Sequence, residues 1–220
     1  SPHPRWDLID TRKVLSIPLQ TTRGCPYNCE FCIVTKLFGR KMRHRGIDDV
    51  IAEVESLPQK NLLLVDDNLT KDRRYALELM RRLKPLGVSW ACQASIDVAK
   101  DHELLTAMSE AGCQNIVIGF ESVNPESLVD VRKYHNRVAE YHEAVESIHR
   151  AGIMVFASLL IGFDHDTLAE LDHIYEFVMQ ARLPYVILCP LATPPGTDVH
   201  ERMVREGRWH GWHVGPSSGV

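Results

Sequence analysis

One stretch of the sequence decides the fold: Asn61-Leu62-Leu63-Leu64-Val65-Asp66-Asp67-Asn68. It begins with a continuous apolar run of strand length, which is typical of a strand buried on both faces of a parallel sheet. Three polar side chains follow at the carboxyl end of this strand. In α/β proteins that edge of the sheet carries the ligands and the chemistry. The stretch therefore predicts one strand of a parallel sheet with a functional group at its tip.

The same unit recurs along the chain. Five more runs of strand length are predicted at 14–19, 89–95, 115–119, 153–161 and 184–190, and five amphipathic helices at 47–57, 76–83, 104–108, 138–148 and 168–178. Strict alternation of strands and helices requires a parallel sheet with right-handed crossovers. Six units are too few for a closed eightfold barrel. We therefore predict an α/β fold, an open (β/α)6 partial TIM barrel with a parallel sheet and the helices outside.

A second stretch carries three of the six cysteines: Arg23-Gly24-Cys25-Pro26-Tyr27-Asn28-Cys29-Glu30-Phe31-Cys32. The C-x3-C-x2-C spacing gathers three soft thiolates, which are the ligands of metal ions and iron–sulfur clusters. Three ligands are one too few for a closed zinc site or for all four irons of a cubane. One iron is then left open to coordinate something other than protein. We predict that Cys25, Cys29 and Cys32 bind metal.

This motif, with the aromatic Phe31 before its third cysteine, resembles the signature of the radical S-adenosylmethionine (radical SAM) enzymes. In that superfamily the open iron chelates S-adenosylmethionine, and one electron cleaves the sulfonium to give a 5′-deoxyadenosyl radical. Other stretches resemble one branch more closely, the cobalamin-binding radical SAM enzymes, many of which are methyltransferases. These stretches are 18–25, 65–68, 119–122 and 162–164, and the likeness extends from about Arg5 to Gly207.

The resemblance implies a radical SAM enzyme core that uses a [4Fe-4S] cluster and S-adenosylmethionine. It implies cobalamin-dependent methylation of an unactivated carbon, hence a transferase rather than an oxidoreductase or isomerase. Expected partners are a small-molecule or lipid-like substrate, an electron donor such as flavodoxin or ferredoxin, and a separate cobalamin-binding domain. No such domain is recognised in this chain, so either the chain is an excerpt of a longer enzyme or cobalamin is not used.

Two alternative functions stay open. The chain could be a radical SAM enzyme that oxidises or rearranges its substrate without methyl transfer. It could also be a non-catalytic iron–sulfur or zinc-binding module in which an external group supplies the fourth ligand.

The predicted cofactor-binding residues lie mainly at strand ends. By the resemblance, Asp66 and Asp67 lie near the amino group of S-adenosylmethionine, and Glu121 binds the ribose hydroxyls. An ion pair between Glu121 and a nearby cation such as Lys133 is the alternative. The glycine after a bulky strand permits close backbone approach to the adenine. The full set at strand ends is Asp66, Asp67, Gln93, Glu121, Ser122, Ile161 and Gly162.

Five further residues are candidates for roles at the site. In the basic stretch 36–45, Arg43 and Arg45 are candidates for the carboxylate of S-adenosylmethionine, or belong to a solvated charge run. Phe31 is expected to shield the cluster from water. Cys92 and Cys189 lie in predicted strands and either donate hydrogen atoms to a radical or are inert core thiols.

Composition narrows the class of protein. The 220 residues include 25 basic and 29 acidic side chains, and the net charge of −4 argues against nonspecific nucleic-acid binding. No apolar run approaches the roughly 20 residues that span a bilayer, and no signal peptide is evident at the N-terminus. We expect no membrane span and a cytoplasmic location. We expect residues 1–207 to form the core, with a cluster loop at 23–45, and 208–220 to be an irregular tail.

Overall fold

The computed structural model describes residues 3–211. Its main sheet has six strands, and every neighbouring pair is parallel. A two-stranded antiparallel ribbon, formed by the second and third strands, lies outside this sheet. The strands are β1 Ile17–Leu19, β2 Thr22–Arg23, β3 Arg43–His44, β4 Asn61–Leu64, β5 Ser89–Ala94, β6 Cys113–Glu121, β7 Met154–Ile161 and β8 Tyr185–Pro190.

The six strands of the main sheet follow chain order, β1-β4-β5-β6-β7-β8. Within residues 3–211 neither β1 nor β8 pairs with a further strand, so the sheet is open. The eight α-helices of the described residues are α1 Val34–Phe38, α2 Ile47–Ser56, α3 Arg73–Leu83, α4 His102–Glu110, α5 Pro125–Asp130, α6 Tyr141–Arg150, α7 Ala169–Gln180 and α8 Asp198–Arg205. The predicted helices correspond to α2, α3, α4, α6 and α7. The predicted open α/β architecture of six units is confirmed.

Alternating burial along the central strands shows where the core lies. On β6, Ile116, Ile118 and Phe120 are fully buried, whereas the residues between them are partly exposed. Successive side chains of a strand point to opposite faces, so one face of the sheet packs under the helices. Burial of each such side chain stabilises the fold by roughly 1.5–3 kcal/mol. The opposite face stays accessible at the strand tips.

The tip of β6 is irregular. Its pairing register with β7 shifts between Gly119 and Glu121, and Glu121 has a φ of 65°, in the left-handed region that non-glycine residues rarely adopt. The hydroxyl of Tyr141, on α6, lies 3.0 Å from the Phe120 carbonyl oxygen and 3.1 Å from that of Ser122. The first residue of α6 therefore holds the bulge that aims Glu121.

The ribbon of β2 and β3 closes the cysteine stretch into a loop. Thr22 pairs with His44, and Arg23 pairs with Arg43. The cysteines lie between the two strands, followed by the single-turn helix α1. The basic stretch, which the sequence did not predict to be a strand, thus forms one side of this ribbon.

The C-terminal part adds a helix that the sequence did not predict. Val199 and Met203 on α8 are buried, and Thr197 caps the helix by accepting a hydrogen bond from the backbone N–H of His200. Residues 208–211 have no helix or strand, while the rest of the predicted tail, 212–220, lies outside the described residues. In the part described, no helix has the length and apolar character needed to cross a membrane.

We expect Tyr141→Phe to lower the free energy of unfolding by about 1–3 kcal/mol, because the ring still packs but the carbonyl oxygen of the buried Ser122 loses the hydroxyl as its donor. The Phe120 carbonyl keeps a second donor, Asn136 Nδ2. Urea denaturation of the metal-free protein measures this change. A cost below about 0.5 kcal/mol would show that the hydroxyl does not hold the bulge.

Candidate functional site

A cavity of about 150 Å³ lies where the cysteine loop meets the tips of β4, β5 and β6. Cys25, Cys29 and Cys32 all line it, together with Phe31 from the same loop. Polar side chains complete the wall from the sheet side: Asp67, Asn68, Gln93, Ser95, Glu121, Lys133 and His135. The fold therefore brings the cysteine motif and the strand-end polar groups to one place.

The entry to the cysteine loop is held by the two carboxylates that follow β4. Asp66 is 2% exposed and accepts hydrogen bonds from the backbone N–H and the hydroxyl of both Thr21 and Thr22. Asp67 accepts from the backbone N–H of Gly24 at 2.6 Å. Hydrogen bonds to a charged acceptor contribute about 1.5–3 kcal/mol each. The tip of β4 thus fixes the chain direction just before Cys25.

Gly24 is required where it stands. Its φ is +98°, and a Cβ built on it would lie 2.6 Å from the carbonyl oxygen of Lys41. The far side of the loop passes directly over this position, so no side chain fits there.

The exit of the cysteine loop is held by α8. Glu30, between the second and third cysteines, is 5% exposed and accepts from Arg202 Nε at 3.0 Å. Its backbone N–H donates to the carbonyl of Val131, and its own carbonyl accepts from the N–H of Val199. Asp198, at the start of α8, also pairs with Lys36 and Arg132. The loop is therefore clamped at both ends by elements from outside it.

A buried ion pair lies in the cavity wall. Lys133 Nζ is 2.7 Å from Glu121 Oε1, and the two residues are 9% and 7% exposed. A Cβ at Gly119 would lie 2.3 Å from the Glu121 carboxylate, so a side chain at this position would displace the pair from its present geometry. Burial favours the neutral form of Lys133, but the neighbouring carboxylate of Glu121 raises its pKa overall. The site therefore keeps a cation beside its thiols.

Burial governs the protonation of the cysteines. It raises the pKa of Cys29 to about 11 against the opposing effect of the Lys133 ammonium, and it also raises the pKa of Cys32. These thiols are neutral at pH 7, so metal binding must displace their protons. In residues 3–211 no three His, Cys, Asp or Glu side chains are arranged to hold a single metal ion. The cysteine ligands of a cubane bind different irons, so they need only surround a common cavity.

A polar cluster adjoins the cavity through Tyr27 and His135. The ring of Tyr27, in the cysteine loop, stacks on His135 with centroids 3.6 Å apart and planes 7° apart. Lys71 donates to the Tyr27 hydroxyl at 2.6 Å and pairs with Asp97. Burial lowers the pKa of His135 to about 4, so the stacked imidazole is neutral at pH 7. His135 also borders a second cavity of about 330 Å³ that contains no cysteine.

Comparison with known families decides what this arrangement is. The family model of the radical SAM superfamily matches residues 19–178. The chain belongs to the radical SAM superfamily. Members of this superfamily use a [4Fe-4S] cluster and S-adenosylmethionine, so the predicted family and its cofactors are confirmed at that level.

Two relatives are methyltransferases by name. Bacteriochlorophyllide d C-12(1)-methyltransferase of Chlorobaculum tepidum is 32% identical over 202 residues, which cover 89% of this chain and 44% of that protein. Hopanoid C-2 methylase of Rhodopseudomonas palustris is 32% identical over 221 residues, covering 94% and 41%. The chain thus spans less than half the length of either relative.

A solved structure supports the fold. The radical SAM methyltransferase TsrM from Kitasatospora setae, with cobalamin and a [4Fe-4S] cluster bound, superposes with a TM-score of 0.78. The match covers 87% of this chain and 39% of that chain at 18% identity. The open partial barrel of six βα units is therefore the radical SAM fold.

Within this radical SAM core, the cavity brings together part of the predicted set. The predicted residues that line it are Cys25, Cys29, Phe31, Cys32, Asp67, Gln93 and Glu121. Glu121 is also paired with Lys133, which the sequence offered only as the alternative to a ligand contact. The predicted residues outside its wall are Arg43, Arg45, Asp66, Ser122, Ile161 and Gly162.

The residues outside the wall have other partners. Arg45 pairs with Asp49 and with the buried Glu53, and Arg43 donates to the Phe38 carbonyl, so neither guanidinium points into the cavity wall. Asp66 is occupied by the two threonines that precede the loop. These contacts give Asp66 and Arg45 a structural role, and their contact with S-adenosylmethionine stays a prediction.

At the remaining two strand tips the predicted residues also contact protein groups. The hydroxyl of Ser122 accepts from the N–H of Asn124. Gly162 donates its N–H to Asp166 at 2.8 Å, and a Cβ there would meet nothing within 4 Å. Close approach of adenine to Gly162, with Ile161 on its face, stays a prediction.

Among the residues of the wall that were not predicted as site residues are Tyr27, Asn68 and His135. The side chain of Asn68 lines the cavity and donates to the Ser95 hydroxyl at 3.1 Å. Tyr27 and His135 carried no recognisable pattern, because only the fold stacks them. The sequence did contain a signal for Asn68, because it follows the same strand, β4, as Asp66 and Asp67.

The two remaining cysteines of interest lie outside the cavity wall. Cys92 is fully buried in the core beside Cys113, and this neighbour together with burial raises its pKa well above the ordinary range. Cys189 is exposed on β8. The core-thiol interpretation fits Cys92, whose neutral side chain faces apolar neighbours.

We expect Lys133→Met to lower the free energy of unfolding of the metal-free protein by about 3–5 kcal/mol, because Glu121 is left buried without its counter-charge. The double variant Glu121→Gln/Lys133→Met should recover at least about 2 kcal/mol of that loss. Urea denaturation of the parent, both single variants and the double variant measures the coupling. Additive losses would show that the pair is not coupled.

The lowered pKa of His135 makes the folding stability depend on pH. Its folded value of about 4 lies below the ordinary 6.5, so the unfolded chain binds the proton more readily. Its contribution to stability is therefore complete above pH 6.5 and is lost as the pH falls towards 4. His135→Phe keeps a stacked ring and removes the titration. We expect the variant to lose about 1 kcal/mol less stability than the parent between pH 7 and pH 5, allowing for partial exposure. Parallel stability curves from denaturation at each pH would contradict this.

Proposed function

We propose that this chain is the catalytic core of a radical SAM methyltransferase that works with cobalamin on an unactivated carbon. In this proposal residues 1–207 are the core and 23–45 form the cluster loop. The observation that carries it is the meeting of three cysteines, and of no other described cysteine, with the polar tips of three parallel strands around one cavity. The names of the two methyltransferase relatives support the transfer of a methyl group.

The donor set fits a cubane with one open iron. Three thiols surround a common cavity, and the fourth side of the wall is made of amide, hydroxyl and carboxylate groups that are weak ligands for such an iron. We assign Cys25, Cys29 and Cys32 to the cluster, with Phe31 excluding water from it. When bound, the cluster supplies the electron that cleaves S-adenosylmethionine, which is the chemistry of the superfamily.

The chain's own residues would bind and orient S-adenosylmethionine. Glu121 and Lys133 present a carboxylate and an ammonium group side by side, which suits the ribose hydroxyls and the carboxylate of the ligand. Asn68 and Gln93 offer amide donors and acceptors on the same wall. Because the Glu121–Lys133 pair is already formed and buried, it holds both groups in place before the ligand arrives.

The substrate and the remaining partners are inferred from the same likeness. The names of the relatives point to a tetrapyrrole or a polycyclic lipid, and hence to a bulky small molecule or lipid-like substrate. Cobalamin would come from a separate domain, and a one-electron donor such as flavodoxin or ferredoxin would reduce the cluster. We place the protein in the cytoplasm, because a site built on free thiols needs a reducing compartment.

Anaerobic reconstitution with iron and sulfide tests the proposal. We expect about four irons and four sulfides per chain and, after reduction, release of 5′-deoxyadenosine from S-adenosylmethionine. Each of Cys25→Ala, Cys29→Ala and Cys32→Ala should lower cluster content and cleavage at least tenfold. Cys189→Ala, which removes an exposed thiol outside the cavity, is the matched control and should keep both.

The alternatives give different results. A zinc module would bind zinc without sulfide and release no 5′-deoxyadenosine. A radical SAM enzyme without methyl transfer would cleave S-adenosylmethionine but move no label from its CD3-labelled form into extracted tetrapyrroles or lipids, with or without cobalamin. Label transfer that needs cobalamin is the outcome we expect. Equal loss of cluster in the Cys189 variant would contradict the ligand assignment.

A further inference from the structure

The outer side of the cysteine loop carries a concentration of positive charge. Residues 23–45 hold six of the 25 basic side chains but one of the 29 acidic side chains of the chain. That single acid, Glu30, is buried and paired with Arg202. The loop is therefore strongly positive in a protein whose net charge is −4.

Four of these cations form what we call the basic surface: Arg23, Arg40, Lys41 and Arg43. All four are exposed, and within residues 3–211 none lies within 4 Å of a carboxylate oxygen. Many other surface cations of the described chain are paired, for example Lys36 with Asp198 and Arg73 with Asp101. Like charges held together without counter-charges repel one another, so this surface costs stability unless a partner uses it.

The basic surface is held in shape by neutral partners. Arg23 and Arg43 face each other across the β2–β3 ribbon, and Arg23 lies over the ring of Phe38 at 5.1 Å. Arg40 donates to the carbonyl of Pro26, and Arg43 donates to that of Phe38. Neutral carbonyls fix these side chains without cancelling their charges.

The basic surface lies next to the cysteine motif in the loop but outside the cysteine cavity. Arg40 bonds the backbone of the residue directly after Cys25, and the backbone of Lys41 passes over Gly24, directly before it. None of the four cations lines the cysteine cavity. A partner that rests on the basic surface would therefore touch the loop that bears the thiols and leave the cavity free for small ligands.

We propose that the basic surface is the docking site of an acidic one-electron carrier protein. The inference rests on the proposed function, in which the cluster held by this loop must be reduced from outside. The reduced carrier would lose one electron and the cluster, when bound to the loop, would accept it, so no bond would form or break and no proton would move.

Charge complementarity is the reason for this choice of partner. Opposite potentials raise the association rate of two proteins by about 10- to 1,000-fold, and the effect falls with ionic strength. Electron-transfer complexes are small and transient, so a few exposed charges suffice to guide them. Four unpaired cations on one loop match this kind of interface better than the large apolar patch of a permanent complex.

Binding of oxidised flavodoxin, used as the acidic probe, tests docking without any turnover. Lys41 is the most informative residue to substitute, because its side chain makes no hydrogen bond to the described residues and its replacement should not disturb the fold. We expect Lys41→Glu to raise the dissociation constant of the flavodoxin complex about three- to tenfold at low ionic strength. The difference between variant and parent should vanish near 0.5 M salt. Lys41→Gln, which removes the charge without reversing it, should raise the dissociation constant less. It serves as a control for a folding defect caused by the reversed charge.

Arg150→Glu is the matched control. Arg150 is exposed and has no carboxylate partner in the described chain, but it ends α6, which leads to the amino edge of the sheet, away from the cysteine loop. We expect this variant to bind flavodoxin as the parent does. Equal weakening by Lys41→Glu and Arg150→Glu would overturn the proposal, because net charge alone would then explain it.

Reduction kinetics separate this inference from the proposed function. In the reconstituted holoenzyme, Lys41→Glu should slow flavodoxin-driven cleavage of S-adenosylmethionine about three- to tenfold and leave dithionite-driven cleavage within about twofold. If the parent shows no cleavage with dithionite, the proposed function fails irrespective of docking. If Lys41→Glu slows both reactions equally, or weakens binding of single-stranded RNA but not of flavodoxin, the docking proposal is wrong.

Discussion

The carboxylate of Asp66 is the contact on which the geometry of this molecule depends. It follows β4, is almost completely buried, and turns back to accept hydrogen bonds from the backbone and hydroxyl groups of Thr21 and Thr22. Burial raises the pKa of Asp66, while these hydrogen bonds act in the opposite direction and favour its charged form. A buried carboxylate tolerates this position only while all those donors stay in place. The chain must therefore leave β1 in one direction and enter the cysteine loop at one point.

The other contacts of the site extend this constraint around the loop. Asp67 fixes the amide before the first cysteine, and Arg202 on α8 fixes Glu30 before the last. Opposite the loop, the tip of β6 bends through a left-handed residue so that Glu121 meets Lys133 beside the thiols. Strain of this kind is kept in proteins where a side chain must be aimed. The rigid sheet and the clamped loop together form a preorganised site for a cluster and a charged ligand.

The regular part of this structure was readable from the sequence because it follows from local patterns. The continuous apolar runs of β4 and β7 predicted strands correctly, and the helices between them appear as apolar stripes. The expected burial of β4 on both faces was wrong, because Leu62 and Leu64 are buried but Leu63 between them is 39% exposed. The three metal-binding candidates were readable because C-x3-C-x2-C is short and dense. The tips of β4 and β6 were singled out because polar groups follow apolar runs there, and Asp67 and Glu121 do line the cavity.

The rest depends on contacts between distant positions. Glu30 and Arg202 are 172 positions apart, and the short, polar α8 gave no apolar run that would predict their meeting. The bulge at Glu121 follows from packing against α6, which no propensity encodes. The ion pairs of Arg45 with Asp49 and Glu53 on the next helix could not be read from the sequence, because only the fold shows which acids reach this guanidinium.

We propose that the cysteine loop holds a cubane whose fourth iron is open to S-adenosylmethionine. Electron paramagnetic resonance of the reduced, reconstituted protein tests it most directly, before and after addition of S-adenosylmethionine. We predict the spectrum of a reduced [4Fe-4S] cluster whose g-values shift when the ligand is added, because the ligand binds to the cluster itself. A cluster spectrum that is unchanged by saturating S-adenosylmethionine, or the absence of any cluster signal after complete reconstitution, would contradict the account.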